Sequence, residues 1–354
     1  MALQGRRHLI GKFDSPSYVL GNFFRSLVRL IPARAVVFRT VLLKFQKVAL
    51  GKLLAKGMNV ISREEVIIDS LGVRLSATLF LGETDGPSPA LIVCHGAGEF
   101  KENYYEMCEY LAGHGLSSLA VDMHGHGASG GERYHVNIDQ WVSDVRVAAD
   151  FLSRHPRIDG GRIAAFGLSS GGTAILEAAL MDPRIKALIA LDATVRNSLP
   201  MGQTLFFKLL IGIAKIKRLL TGKDWRIPLL KLSGALHVAS DPEVDERFQS
   251  NPKLQEPFMN FPLPGAAQAF FVDTISRVKS IRVPTLVIWG EDDQVDPPQT
   301  ARELFAALTC PKDLQIIAGN GHLGHMDRHR TKVFELTAEW ILQHLCSGAT
   351  NAFA

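Results

Sequence analysis

From residue 64 the chain alternates between short apolar runs and stretches of helical period. "EEVIIDSLGVRLSATLFLG" alternates apolar and polar positions on both sides of Gly72, which predicts a hairpin. Five apolar runs follow: "ALIVCHG" (90–96), "SSLAVDMHG" (117–125), "RIAAFGLS" (162–169), "IKALIALDAT" (185–194) and "PTLVIWGEDD" (284–293). A sixth, "LQIIAGNGH" (314–322), precedes a closing helix, "RTKVFELTAEWILQHL". Continuous apolar strands separated by helices predict a parallel sheet buried on both faces. Ligand chemistry in such a sheet belongs at the carboxyl ends of its strands.

Two segments depart from this rhythm. Residues 1–60 carry helical spacing in "SYVLGNFFRSLVRLIP" and again in "RAVVFRTVLLKFQKVALGKLLAKG", where Phe38, Val41, Phe45 and Val48 share a face. Between Thr194 and Pro284 the chain far exceeds the length of a simple crossover. That gap contains "LFFKLLIGIAKIKRLL" and "PFMNFPLPGAAQAFF", so it reads as an apolar, largely helical cap over the strand ends. The expected organisation is a helical arm (1–60), a first core segment (61–194), a cap (195–280), a second core segment (281–346) and a tail (347–354).

Charge sharpens the picture of the arm. Residues 1–60 hold 11 Lys/Arg and one acid, Asp14, whereas the remaining residues hold 28 basic and 34 acidic side chains. A nucleic-acid protein would carry its basic face on the folded domain with a recognisable module, so no nucleic-acid partner is expected. The arm either docks on the body or makes peripheral contact with an anionic membrane surface. No run reaches about 18 uninterrupted apolar residues, so no membrane span is expected. Arg6-Arg7 is followed by no clean apolar region or cleavage site, and the scattered Cys94, Cys108, Cys310 and Cys346 read as free thiols. A cytoplasmic location is the expectation, with membrane association as the alternative that the basic arm offers.

The candidate chemistry begins at "GLSSGG". Gly167-Leu168-Ser169-Ser170-Gly171 fits G-x-S-x-G only with Ser169 at the centre, because Ser170 would need a glycine at 168. The motif alone is weak, but a strand feeds in and "GGTAILEAAL" reads as a helix feeding out, the context of a nucleophile elbow. A serine hydroxyl needs a base and an orienting acid. "WGEDDQVDPP" supplies carboxylates beyond one strand and "AGNGHLGH" two histidines beyond the next, in the order Ser…Asp…His. An oxyanion hole needs two backbone amides, and one follows the nucleophile, at Ser170. A metal reading of Asp122, His124, His126, His322 and His325 lacks a second acidic cluster.

These residues sit in a longer pattern. "HGAGEFKENYYEMCEYLAGHGLSSLAVDMHGHGASGGERYHVNIDQWVSDV", together with "GLSSGG", "VPTLVIWGEDD" and "GNGHLGH", closely resembles the monoacylglycerol lipases and the wider lysophospholipase and serine aminopeptidase-like branch of the α/β-hydrolases. The resemblance covers roughly residues 64–195 and 280–345. It implies an α/β-hydrolase fold, a mostly parallel central sheet flanked by helices. By resemblance the triad acid is Asp293, with Asp192 as alternative and Asp292 and Asp296 as solvated loop acids. The histidine is His322, with His325 kept as a lesser candidate, and the second oxyanion amide is Ala97. In "GHGASGG" the resemblance makes the histidine and serine structural, and it implies no cofactor, no metal and no particular oligomeric state.

The implied reaction is hydrolysis of a small-molecule or lipid ester through an acyl-enzyme on Ser169. The alternatives are a thioesterase, a peptidase or a catalytically silent binding protein. A dehalogenase or epoxide hydrolase of this fold would carry Asp at 169. Leu168 and Ser170 depart from the family's G-H-S-M-G-G, which leaves the acyl and leaving-group preference open. Phe206, Phe207, Phe258, Phe261, Phe270 and Phe271 are the cap's candidates for an acyl-binding wall.

Overall fold

The computed structural model describes residues 61–196, 200–229, 231, 237–265, 269 and 271–346. The arm, the tail and Phe270 lie outside the described residues. Strands β1 (Arg63–Ser70) and β2 (Val73–Phe80) form the antiparallel hairpin around Leu71-Gly72, both at positive φ. Positive φ at both central residues suits the tight turn that matches strand twist.

The hairpin edges an eight-stranded sheet of order β1-β2-β4-β3-β5-β6-β9-β10. From β4 onward the sheet is parallel: β4 (Ser117–Val121), β3 (Ser88–Cys94), β5 (Ile158–Leu168), β6 (Ile185–Leu191), β9 (Thr285–Gly290) and β10 (Lys312–Ile317). Alternate side chains point to opposite faces, so each continuous apolar strand feeds two cores. On one face Ile92, Cys94 and Ala165 pack with Trp141, Val145 and Leu152 of helix α2 (Ile138–Arg154). Ile175 of α3 (Ser170–Ala179) and Leu304 of α7 (Pro298–Ala307) join that core. On the other face Leu91, Val93 and Phe166 pack with Met107 and Leu111 of α1 (Tyr105–Gly113) and with Val333 and Ile341 of α8 (Arg330–Leu345). Each fully buried Val, Leu, Ile, Phe or Met among them contributes about 1.5–3 kcal/mol.

The segment between β6 and β9 carries α4 (Met201–Thr221), α5 (Pro242–Ser250) and α6 (Pro252–Met259). Asp241 and Asn251 cap α5 and α6 by accepting from Glu243 N and Lys253 N, with a proline at each first turn. Gly222, at φ 68°, ends α4 in the left-handed conformation. The described part of the insertion also holds a short strand pair. Phe261–Pro262 (β8) pairs antiparallel with Arg226–Ile227 (β7), because Pro262 and Pro264 stop a helix from continuing past Met259.

Asp327 fastens this insertion to the strand ends. Its fully buried carboxylate accepts from Ser240 N at 2.8 Å and Asp241 N at 2.7 Å in the insertion, and from Gly321 N at 2.6 Å beside His322.

Candidate active site

Ser169 sits between the end of β5 and the start of α3 with φ 52° and ψ −119°. That conformation costs a non-glycine residue of order 1–3 kcal/mol, and the surroundings enforce it. Ser169 N donates to Leu191 O at 3.1 Å, and Ser169 O accepts from Thr194 N at 3.2 Å. The turn also demands its glycines. A Cβ at Gly167 would lie 2.3 Å from Gly171 O, and one at Gly171 would lie 2.5 Å from Cys94 O.

His322, on the loop after β10, places Nδ1 2.9 Å from Asp293 Oδ2. Asp293 follows β9, and its Oδ1 accepts from Val295 N at 2.8 Å and Asp296 N at 3.0 Å. With Nδ1 directed at a carboxylate, Nε2 is left to exchange protons. Burial alone would lower the His322 pKa, but Asp293, with Asp296 and Asp192 behind it, raises it to about 10.

Ser169 and His322 line one cavity of about 360 Å³, the size of a small-molecule site. Ala97 and Ser170 line it too, and neither amide donates to another group among the described residues. The remaining wall is mostly apolar. Phe207, Phe258 and Phe261 face the cavity, with Leu168, Val238, Phe248, Leu254 and Met326. Phe206 points outward and is 57% exposed, while Phe271 packs with Ile211 and Leu263 away from the cavity.

The other acids and histidines have structural surroundings. Asp192 is fully buried and accepts from Gly290 N at 2.7 Å; burial and the neighbouring Asp293 push its pKa well up. Asp292 accepts from Ser240 Oγ at 2.9 Å on the surface. Asp296 corrects the expectation of a solvated loop acid. It is buried, lines the cavity and accepts from Thr194 Oγ1 at 2.7 Å, because the loop after β9 folds back under Thr194.

His124 pairs with Asp144 at 2.6 Å, Asp122 accepts from Lys101 N and Ala128 N, and His126 packs against Trp141. Among the described residues no three His, Cys, Asp or Glu side chains are grouped to hold a metal. His325 stacks on Tyr104, with ring centroids 4.1 Å apart, and makes no bond to Asp293.

One site residue escapes a reading of the sequence. Glu99 lies on the loop after β3, lines the cavity and is buried. It accepts from Gly96 N at 3.1 Å, Tyr104 Oη at 2.6 Å and Asn103 Nδ2 at 3.1 Å, with His325 Nε2 at 3.4 Å. Burial would raise its pKa, but His325 and Tyr104 hold it down at about 2. A charged residue directly after "HGAG" was the available signal. His95 steadies the same loop, with Nδ1 2.7 Å from Gly96 O and Nε2 accepting from Met123 N at 3.0 Å.

Comparison with known proteins matches this architecture. The "Serine aminopeptidase, S33" family model matches residues 85–329, and the chain belongs to that family of α/β-hydrolases. It is 28% identical to polyketide transferase ATR5 of Stachybotrys chlorohalonatus, covering 75% of this chain and 92% of that one. It is 26% identical to thiohydrolase aneE of Aspergillus aculeatus (72% and 84% covered) and 25% identical to a monoacylglycerol lipase of Mycolicibacterium smegmatis (77% and 95%). Among solved structures, the α/β-hydrolase GrgF from Penicillium sp. sh18 superposes with a TM-score of 0.69 at 21% identity, covering 81% of this chain and all of that one. That structure supports the fold.

Proposed function

We propose that this hydrolase cleaves carboxylic esters of acyl or lipid-like character through an acyl-enzyme on Ser169. The observation that carries the reading is one cavity lined by Ser169, on its strained turn, and by His322, whose Nδ1 is bonded to Asp293. His322 Nε2 takes the Ser169 proton as the hydroxyl attacks the carbonyl carbon, then returns it to the leaving alcohol. The amides of Ala97 and Ser170 stabilise the oxyanion. Water, deprotonated by the same imidazole, releases the acid. The wall of Phe207, Phe258 and Phe261 suits an acyl chain.

A second reading, hydrolysis or transfer from an acyl thioester, is favoured by two relatives named as a thiohydrolase and a polyketide transferase. The chemistry at Ser169 is the same and only the leaving group differs. A fluorophosphonate probe should label the wild type and not Ser169→Ala; equal labelling would remove Ser169 from the reaction. A panel of p-nitrophenyl esters beside acyl-CoAs separates the two leaving groups by kcat/KM.

A further inference from the structure

Twelve large apolar side chains are exposed among the described residues, and eight of them lie on α4. Leu205, Leu209, Ile213, Ile216 and Leu220 recur at intervals of three or four, so they form one stripe along a helix about 31 Å long. Leu205 is 70% exposed and Leu220 77%, values far above what an ordinary packed cap helix leaves to water. The opposite side is anchored. Ile211 and Ala214 pack against Leu263, and Phe207 lines the cavity.

The charges on this helix have one sign. Met201–Thr221 contains Lys208, Lys215, Lys217 and Arg218 and no acid. At 3.6 residues per turn Lys208 and Lys215 border one margin of the stripe and Lys217 borders the other. Arg218 pairs with Glu132 on the body and with Asp224 just past the end of the helix. No described helix is long and apolar enough to cross a membrane.

We propose that α4 is an interfacial helix that lays its apolar stripe into an anionic lipid surface, with its lysines at the headgroups. An apolar stripe bordered on both sides by cations fits that surface chemically. The other occupants match it less well. A second copy meeting it face to face would oppose lysine to lysine, and the arm of residues 1–60 is itself cationic. Because α4 also forms a wall of the cavity, docking would hold that wall against the source of an acyl lipid. The surface stands independently of the ester-or-thioester question.

The test compares full-length wild type with the variant Leu205→Gln, Leu209→Gln, Ile216→Gln and Leu220→Gln, whose side chains are exposed. The readout is sedimentation with phosphatidylglycerol/phosphatidylcholine vesicles and with pure phosphatidylcholine. Wild type should bind the anionic vesicles, more weakly at high salt and on neutral vesicles. The quadruple variant should bind at least tenfold more weakly while hydrolysing a short soluble ester at the wild-type rate. Vesicle binding by Ser169→Ala should equal wild type, which separates this surface from the catalytic reading. Absence of wild-type binding, or equal binding by the quadruple variant, overturns the proposal. A wild-type dimer that the variant converts to monomer, with no vesicle binding by either, overturns it in favour of a second copy.

Discussion

Ser169 Oγ lies 3.2 Å from Thr194 Oγ1, and Thr194 Oγ1 lies 2.7 Å from Asp296 Oδ2. Thr194 has a single hydroxyl proton. If it donates to Asp296, it accepts from Ser169, and the serine proton points away from His322 at rest. Reaction then requires the hydroxyl to turn towards the imidazole. Thr194→Val, nearly the same shape, should leave kcat/KM unchanged or several-fold higher. It should also lower stability by about 1 kcal/mol, since Asp296 loses its partner. Thermal melts and ester kinetics check both; a hundredfold loss of kcat would make Thr194 part of the machinery.

The pH profile should carry the mark of three buried acids around His322. In the proposed mechanism the neutral imidazole is the base, so kcat/KM should fall as pH drops through its pKa. Its pKa is raised towards 10, but burial also makes Asp192 and Asp296 hold their protons more tightly. The acidic limb is therefore expected between about 6.5 and 10. Asp296→Asn should move it to lower pH. The sign for stability follows: a raised folded pKa contributes in full below about 6.5 and is lost as pH rises towards 10. Wild type should thus lose more melting temperature between pH 7 and 10 than His322→Gln does. A limb at or below 6.5 in wild-type kinetics would contradict the electrostatics.

Gly98 and Phe258 make the loop after β3 intolerant of a side chain. Gly98 has φ 78°, and a Cβ there would lie 2.9 Å from the Phe258 ring. Gly98→Ala should reduce kcat by at least tenfold, through displacement of the neighbouring Ala97 amide. Phe258→Ala alone should shift the chain-length preference towards longer acyl groups more than it changes turnover of an acetyl ester. The double variant should recover only part of the Gly98→Ala loss, because the positive φ remains strained for alanine. Equal loss across all chain lengths in Phe258→Ala would make that ring structural.

Glu99 acts through the loop it holds. Glu99→Ala removes the acceptor for Gly96 N and leaves His325 without its carboxylate, so kcat should fall about 10–100-fold while KM changes little. Glu99→Gln keeps an acceptor and should recover part of the loss. Glu99→Ala within twofold of wild-type kcat would show that the loop needs no such brace.

The central parallel strands were legible because they are continuous apolar runs ending in glycine or a polar group, as in "ALIVCHG" and "PTLVIWGEDD". The position of Ser169 was legible because, of the two adjacent serines in "GLSSGG", only Ser169 has glycines two residues to either side, and a strand leads into it. The burial of Asp296 was not, since "DDQVDPP" reads as a wet loop until Thr194 approaches from 102 residues away. The Glu99–His325 pair is likewise a contact between distant loops. Phe206 and Phe207 are indistinguishable by type, yet one turn step of α4 sends the first to solvent and the second into the cavity. The two-residue strands β7 and β8 are too short to show any period.

The proposed acyl-enzyme forms on Ser169 with His322 and Asp293. Ser169→Ala, His322→Ala and Asp293→Asn should each lower kcat by about a thousandfold or more, far from additively, with folding retained, and Asp192→Asn should cost much less. The most direct measurement is peptide mass mapping after rapid acid quench of a p-nitrophenyl acyl ester reaction. An adduct of one acyl group is expected on the peptide bearing Ser169, enriched when deacylation is slow and absent from Ser169→Ala. An adduct on another residue, or full turnover by Ser169→Ala, would contradict it.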